Sequence, residues 1–141
     1  RKEIAKEQLH MAVENYMGKE KSILIVDDIK EQREIASSML EQLGYLVASV
    51  SSGEEAIEYL KSSSVDLVLL DMIMDPGIDG LETFKQIIKL HPGQKSVIAS
   101  GFSETERVKE AQKLGAGEYI KKPYTLEQIG LAVKKELEKY N

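Results

Sequence analysis

The sequence predicts an α/β fold in which a parallel sheet is covered by helices on both faces. From Ser22 onward, five short apolar runs alternate with segments whose apolar residues recur at helical spacing. Polar or charged residues follow the ends of four of these runs, as they do where parallel strands border a crevice. Alternating strands and helices form βα units, whose right-handed crossovers build a parallel sheet. We expect a flavodoxin-like, doubly wound (βα)5 fold with strand order 2-1-3-4-5.

The strands are predicted where apolar and β-branched residues form short runs between turn residues. Runs of this length fit buried strands better than helices, which usually need about ten residues or more. The predicted strands cover residues 23–26, 45–50, 66–70, 96–99 and 118–120.

Helices are predicted between these strands and after the last one. The first helix places Ile35, Met39 and Leu43 on one face and stops at Gly44, a residue that suits a helix C-terminus. A short polar side chain followed three residues later by Glu or Gln predicts a helix start, because the pair bonds the free amides of the first turn. Four pairs have this spacing: Asp28 with Glu31, Ser52 with Glu55, Ser103 with Glu106, and Thr125 with Gln128.

The composition fits one folded domain and limits its partners. With 141 residues, 42% of them hydrophobic, the chain is long enough to build a single core. Its 24 acidic and 19 basic residues give a net charge of -5, which argues against a nucleic-acid-binding surface. The absence of cysteine excludes disulfides, thiolate zinc sites and cysteine nucleophiles. We also expect no membrane contact, since no apolar run approaches the ~20 residues that a span requires.

Residues 1–21 have no strand-like run and stand apart from the βα pattern. Ala5, Leu9, Ala12 and Tyr16 alternate spacings of four and three, as in the seam of a short coiled coil. Because the seam is so short, it is equally consistent with a surface helix or a tail and with a linker or a dimerising helix. We therefore predict a helical linker or tail over residues 1–21 and the folded domain over residues 22–141.

Residues suited to chemistry follow the predicted carboxyl ends of four strands. Asp27 and Asp28 follow the first strand, Asp71 the third, Ser100 the fourth and Lys122 the fifth. The carboxyl ends of neighbouring parallel strands converge on one crevice. Three acids, a hydroxyl and an amine in one crevice suit divalent metal and phosphoryl chemistry. Taken alone, Asp28 would also fit a simple helix N-cap.

The order of these features resembles the receiver domain of two-component response regulators. The resemblance covers residues 22–140. It rests on an acid pair, a strand-end aspartate with its following loop, a hydroxyl residue, an aromatic residue and a Lys-Pro pair at successive strand ends. These are Asp27-Asp28, then Asp71, Met74, Pro76 and Asp79-Gly80, then Ser100-Gly101, then Tyr119, then Lys122-Pro123.

The resemblance implies that Asp71 is a phosphoacceptor and that Mg²⁺ is the cofactor. By analogy with the family, Asp28 and Asp71 bind the ion directly, and the backbone carbonyl of Ile73 adds a ligand. Asp27 acts mainly through a bound water. The positive charge of Lys122 pairs with Asp71 and later with the phosphoryl group.

The same resemblance assigns the signalling residues and the partners. Ser100 donates its hydroxyl to the phosphoryl group, and Tyr119 is the aromatic switch, although core packing alone also explains a Tyr there. The partner is a histidine kinase or a histidine phosphotransfer domain. The output face is formed by the fourth helix, the fifth strand and the fifth helix. Dimers are expected through this face or through the N-terminal helix.

Three larger contexts fit the sequence. A helical lead-in, with no output domain after the last helix, favours the C-terminal receiver of a cytoplasmic hybrid sensor histidine kinase. A free-standing single-domain receiver is the first alternative. A Mg²⁺-dependent phosphohydrolase with an aspartate nucleophile is less well supported, because Ile73 occupies the place of its second acid. A receiver itself catalyses only its own phosphorylation and dephosphorylation.

Two departures from the family pattern affect the site. The segment from Asp71 to Pro76 is one residue longer than usual, which adds Asp75 and bears on which carbonyl reaches the metal. Ser100 replaces the usual Thr and keeps its hydroxyl. Family analogy also places Ile73 and Phe102 beside the path of the attacking water. Because neither side chain orients water, we predict slow loss of the phosphoryl group.

Overall fold

The structure is a computed structural model that describes residues 20–74, 77–101 and 105–139. Its strands are Ser22–Val26 (β1), Leu46–Val50 (β2), Leu67–Asp71 (β3), Ser96–Ser100 (β4) and Tyr119–Lys121 (β5). Its helices are Lys30–Gln42 (α1), Gly53–Ser62 (α2), Gly80–Leu90 (α3), Glu106–Lys113 (α4) and Leu126–Glu138 (α5). The alternation predicted from the sequence is therefore present, and each strand agrees with its predicted range to within one residue at either end.

The five strands form one parallel sheet in the order β2-β1-β3-β4-β5, which confirms the predicted topology. Its register aligns the carboxyl ends of the central strands. Val26 pairs with Leu70, so the residues that follow β1 lie beside the end of β3. Asp71 in turn pairs with Ala99 of β4.

Helices cover both faces of the sheet because alternate strand residues point to opposite sides. On one face, α2, α3 and α4 pack against Leu24, Val68 and Ile98. On the other, α1 and α5 pack against Ile23, Leu69 and Val97. All five residues of β3 are buried, as expected for the middle strand of a sheet covered on both sides.

The predicted face of the first helix was partly wrong. Leu43 is buried, and Gly44 follows it with φ 88, as predicted for the helix end. Ile35, in contrast, is 48% exposed, and Leu40 fills the core. Leu40 and Leu43 lie on the side of α1 that packs against the sheet, so the buried face differs slightly from the predicted one.

Two of the four predicted helix starts are correct and two are wrong. Ser52 accepts a hydrogen bond from the Glu55 amide, and Thr125 with Gln128 forms a reciprocal capping box. Asp28 does not cap α1. The carboxylate of Asp27 accepts the bond from the Ile29 amide instead, and Ile29 is the N-cap residue. Ser103 lies outside the described residues, and α4 begins after Thr105, whose side chain accepts from the Val108 amide.

The predicted linker or tail over residues 1–21 falls almost wholly outside the described part of the chain. It therefore stays a prediction. Among the described residues, no helix has the length and apolar character needed to cross a bilayer.

Candidate functional site

Three aspartates form an acid cluster at the carboxyl edge of the sheet. Asp71 is the last residue of β3, and Asp27 and Asp28 follow β1 directly. One carboxylate oxygen from each lies within 4.8 Å of the other two. Asp27 and Asp71 are buried, whereas Asp28 is partly accessible. Carboxylates this close repel one another, so the cluster needs a compensating cation.

Lys122 supplies a positive charge to the acid cluster. Its Nζ lies 2.5 Å from Oδ2 of Asp27 and 3.7 Å from Oδ1 of Asp71. The sequence-based prediction paired Lys122 with Asp71 alone. In the structure the ammonium lies between both acids: it donates a hydrogen bond to Asp27, and its longer contact with Asp71 is electrostatic. Lys121 is exposed and takes no part in these contacts.

The carboxyl group of Asp71 has an unusual affinity for protons. Burial raises the pKa of Asp71 from 3.8 to about 7, since the charged form loses hydration at the strand end. The ammonium of Lys122 opposes this rise in pKa, the charges of Asp27 and Asp28 add to it, and a bond from the Ile73 amide opposes it. A carboxylate perturbed in this way within a crevice marks a candidate functional site.

The acids open into a cavity of about 410 Å³. Its polar wall includes Asp28, Asp71, Ser100 and Lys122, so the structure brings four of the predicted site residues to one opening. The apolar part of the wall includes Ile29, Ile73 and Pro123. A larger cavity of about 760 Å³ lies beside α1 and Ser49, but none of the clustered acids lines it. We therefore place the candidate site at the smaller cavity.

Of the other predicted residues, Ser100 and Ile73 line this cavity and Tyr119 does not. Ser100 is buried at the end of β4, and its carbonyl accepts the Lys122 amide at 2.7 Å. Ile73 is 48% exposed at the cavity mouth, and its amide lies 3.4 Å from Oδ1 of Asp71. Tyr119 begins β5 and packs against the core on the α2, α3 and α4 face, away from the cavity wall. Phe102 lies outside the described residues.

Two residues near the acids were not identified from the sequence. Arg33 in α1 donates from Nη1 to the carbonyl oxygen of Asp27 at 2.8 Å. Burial raises the pKa of Tyr124 to about 12, and the charges of Asp27 and Asp71 add to that rise. Arg33 gave no signal, because a basic residue in an amphipathic helix normally faces solvent. Tyr124 could have been found from its position two residues after Lys122.

The loop after Asp71 is anchored at its far end. Asp75 and Pro76, which carry the extra residue, lie outside the described part of the chain. Beyond them, Gly77 has φ 103, a left-handed conformation that favours glycine, and the Ile78 amide donates to Oε2 of Glu54 at 3.1 Å. Gly80 starts α3 so close to β3 that a Cβ atom there would lie 2.6 Å from the Asp71 carbonyl oxygen.

The residues present suit a divalent cation. Mg²⁺ prefers oxygen ligands and is usually held by one or two carboxylates together with water. The three clustered carboxylate oxygens provide such ligands. Burial and the acidic neighbours raise the pKa of one of these acids, Asp71, so a bound cation would stabilise its ionised form.

Residues 23–134 match the family model described as "Response regulator receiver domain". The chain belongs to this family. It is 34% identical over 116 residues to the chemotaxis protein CheY of Thermotoga maritima. The aligned region covers 82% of this chain and 96% of that protein. It is 33% identical over 115 residues to sporulation initiation phosphotransferase F of Bacillus subtilis, spanning 82% of this chain and 92% of the relative.

A solved receiver protein has the same fold. The crystal structure of the response regulator TrrA of Thermotoga maritima, in complex with Mg(2+)-BeF, superposes with a TM-score of 0.74 at 35% identity. The match covers 82% of this chain and 97% of that one. This chain is thus a receiver domain of the two-component type, and its acidic pocket fits a phosphoacceptor role.

Proposed function

We propose that this receiver takes a phosphoryl group from a histidine kinase or a histidine phosphotransfer domain onto Asp71, with Mg²⁺ as cofactor. The observation that carries the proposal is the position of Asp71, a buried carboxylate at a strand end beside two further acids and the Lys122 ammonium. The named activity of the Bacillus subtilis relative, a phosphotransferase, supports the same reaction.

The transfer requires an anion to attack an anion. An Oδ atom of Asp71 forms the new P–O bond, the P–N bond of the phosphohistidine breaks, and its electron pair stays on the imidazole nitrogen. Positive charge at the equatorial oxygens lowers the barrier, and Lys122 is placed to provide part of it. Mg²⁺ would neutralise further charge at the same oxygens. A nearby cation also favours the ionised, nucleophilic form of Asp71, whose pKa burial raises.

The residues that would hold Mg²⁺ are Asp28, Asp71 and the carbonyl of Ile73. Asp28 is the most accessible of the three clustered acids, which suits a direct ligand. Asp27 already accepts hydrogen bonds from the Ile29 amide and from Lys122, so a contact through water suits it better. The TrrA structure, which contains Mg(2+)-BeF, supports a magnesium requirement in this fold.

Phosphorylation would be read out through Ser100 and Tyr119. Ser100 lines the cavity and would donate its hydroxyl to the new phosphoryl group. Tyr119 would follow this movement, and the surface of α4, β5 and α5 would change its contacts with a partner or a second copy.

We further propose that residues 22–141 are the receiver domain of a cytoplasmic hybrid sensor histidine kinase, joined to it through residues 1–21. A free-standing receiver is the alternative, and it is supported by the two relatives that this chain spans almost completely. In either case we expect the partner to be a histidine-containing protein and not nucleic acid or membrane.

The wild-type domain is expected to gain one phosphoryl group when it is incubated with Mg²⁺ and acetyl phosphate. Intact-protein mass spectrometry measures the gain, and hydroxylamine should remove it, because an acyl phosphate is reactive toward that nucleophile. EDTA should prevent uptake. An unchanged mass in Mg²⁺, or a label that resists hydroxylamine, would contradict the proposed function.

The phosphorylated domain is expected to lose its label slowly, and Ile73→Asn should speed the loss. Ile73 borders the mouth of the cavity with an apolar side chain, whereas Asn can hydrogen-bond an attacking water. General acid–base groups contribute at least about 100-fold, and Asn orients water without taking its proton. We therefore expect acceleration on the order of 10-fold. Ile73→Val is the matched control, and an Asn variant as slow as Val would remove the water-exclusion argument.

A further inference from the structure

Arg33 makes a contact with the acid cluster that a solvent-facing helix residue would not make. It is the fourth residue of α1, half-buried, and its Nη1 donates to the carbonyl oxygen of Asp27 at 2.8 Å. A hydrogen bond from a charged donor to a carbonyl is stronger than a neutral one. The bond also spans the β1–α1 turn, so it ties the body of the helix back to the end of the strand.

The backbone amide, the carboxylate and the backbone carbonyl of Asp27 each form a hydrogen bond, and these bonds have different structural roles. Its amide donates to the Val50 carbonyl at 3.2 Å and continues the ladder with β2. Its carboxylate accepts from the Ile29 amide at 2.9 Å and from Lys122. Arg33 alone among these partners bonds the carbonyl oxygen, which belongs to the peptide unit that leads into Asp28.

The direction of that carbonyl decides where Asp28 points. A peptide unit is planar, so its oxygen, its amide nitrogen and the Cα atoms on either side move together. Fixing the Asp27 oxygen therefore fixes the amide and Cα of Asp28. Asp28 is the most accessible of the three acids, and no hydrogen bond to its carboxylate is found within the described part of the chain. The direction of the Asp28 carboxylate toward Asp71 therefore depends on the position of the Asp28 backbone.

We propose that Arg33 is a positioning residue that holds the Asp27–Asp28 peptide so that the Asp28 carboxylate faces the cation site. This inference rests on the proposed function, because it assumes that the acid cluster binds Mg²⁺. Groups that orient metal ligands without touching the metal typically change metal affinity by about 10- to 100-fold when they are removed. Arg33 acts through the peptide and makes no contact with the phosphoryl group.

A purely structural role for Arg33 predicts a different result. The guanidinium also lies close enough to Glu55 to help lower the pKa of that acid, after the larger effect of the hydrogen bonds from Ser51. If Arg33 only joined α1 to the start of α2, its loss would lower thermal stability and leave Mg²⁺ affinity unchanged. Metal affinity and stability therefore separate the two roles.

The test is a Mg²⁺ titration of the unphosphorylated domain followed by amide NMR. In the wild type, shifts of the amides around Asp28 and Asp71 give the dissociation constant. Arg33→Met should raise that constant by about 10- to 100-fold. Arg33→Lys, which keeps one charged donor, should recover part of the loss. Lys30→Met removes the same charge from an exposed residue of the same helix, whose ammonium lies 3.9 Å from Glu34, and should leave the constant close to wild type.

The outcomes distinguish this inference from the proposed function. Asp28→Ala is the reference for loss of a direct ligand and should abolish the shifts. Wild-type protein that shows no titration would contradict the metal site itself. Wild-type binding with an unchanged constant in Arg33→Met, or an equal loss in Lys30→Met, would overturn only the role of Arg33. With Arg33→Met, phosphorylation should recover at saturating Mg²⁺, so that the Mg²⁺ requirement changes more than the maximal rate.

Discussion

Asp71→Asn is expected to take up no phosphoryl group and, without metal at about pH 8, to unfold at a higher temperature than the wild type. Loss of uptake follows if the Asp71 carboxylate is the nucleophile, because an amide cannot replace it. The gain in stability has a separate cause. Asn has the shape of the carboxylic acid without the buried charge, so it relieves repulsion within the acid cluster.

The sign of the stability effect follows from the raised pKa of Asp71. Burial moves it from 3.8 to about 7, so the folded protein holds this proton more tightly than the unfolded chain does. The bound proton on Asp71 therefore stabilises the folded protein. This stabilisation is fully present below about pH 4 and is lost as pH rises through about 7. Each pKa unit corresponds to about 1.4 kcal/mol, so we expect Asp71→Asn to exceed the ionised wild type in stability by on the order of a few kcal/mol.

Thermal unfolding in EDTA at several pH values measures this difference. The advantage of Asp71→Asn should be small near pH 4 and should grow toward about pH 8. Asp27→Asn is the matched control, because it makes the same chemical change but removes the carboxylate bonded to Lys122 and to the Ile29 amide. That variant should lose stability. If Asp71→Asn were no more stable than the wild type at high pH, the buried charge of Asp71 would not be costly.

Much of the fold and site follows from the sequence because both depend on strand ends. Apolar runs that end in Asp27 and Asp71 imply buried strands with polar termini, and the alternation with helices implies a parallel sheet. A parallel sheet then brings those termini together wherever the loops run. The convergence of Asp28, Asp71, Ser100 and Lys122 on one cavity needed no knowledge of side-chain geometry.

The parts that could not be predicted depend on which of several equivalent groups makes a contact. Ser103 and Thr105 are both suitable helix caps, and only the path of the chain selects Thr105 for α4. Asp27 and Asp28 are chemically identical neighbours, yet the turn directs Asp27 to the Ile29 amide. The bond from Arg33 depends on the angle between α1 and β1, which helical periodicity does not report.

Lys122→Met is expected to destabilise the metal-free domain strongly at neutral pH. Its ammonium lies 2.5 Å from Asp27 and 3.7 Å from Asp71, and all three side chains are largely buried. Removal of one partner from a buried ion pair typically costs about 3–5 kcal/mol, because the remaining charge is left without compensation. For a domain of this size, that loss lowers the melting temperature by on the order of 10 °C.

The interaction of Lys122 with the acids predicts how this loss can be reversed. Saturating Mg²⁺ should restore part of the stability by supplying another cation to the same carboxylates. Adding Asp71→Asn should also restore part of it, and a double-mutant cycle measures the coupling between the two positions. Lys121→Met is the matched control, since Lys121 is adjacent and exposed, and its melting temperature should stay near that of the wild type. Equal losses in Lys121→Met and Lys122→Met would mean that net charge, and not the bridge across Asp27 and Asp71, holds the acid cluster together.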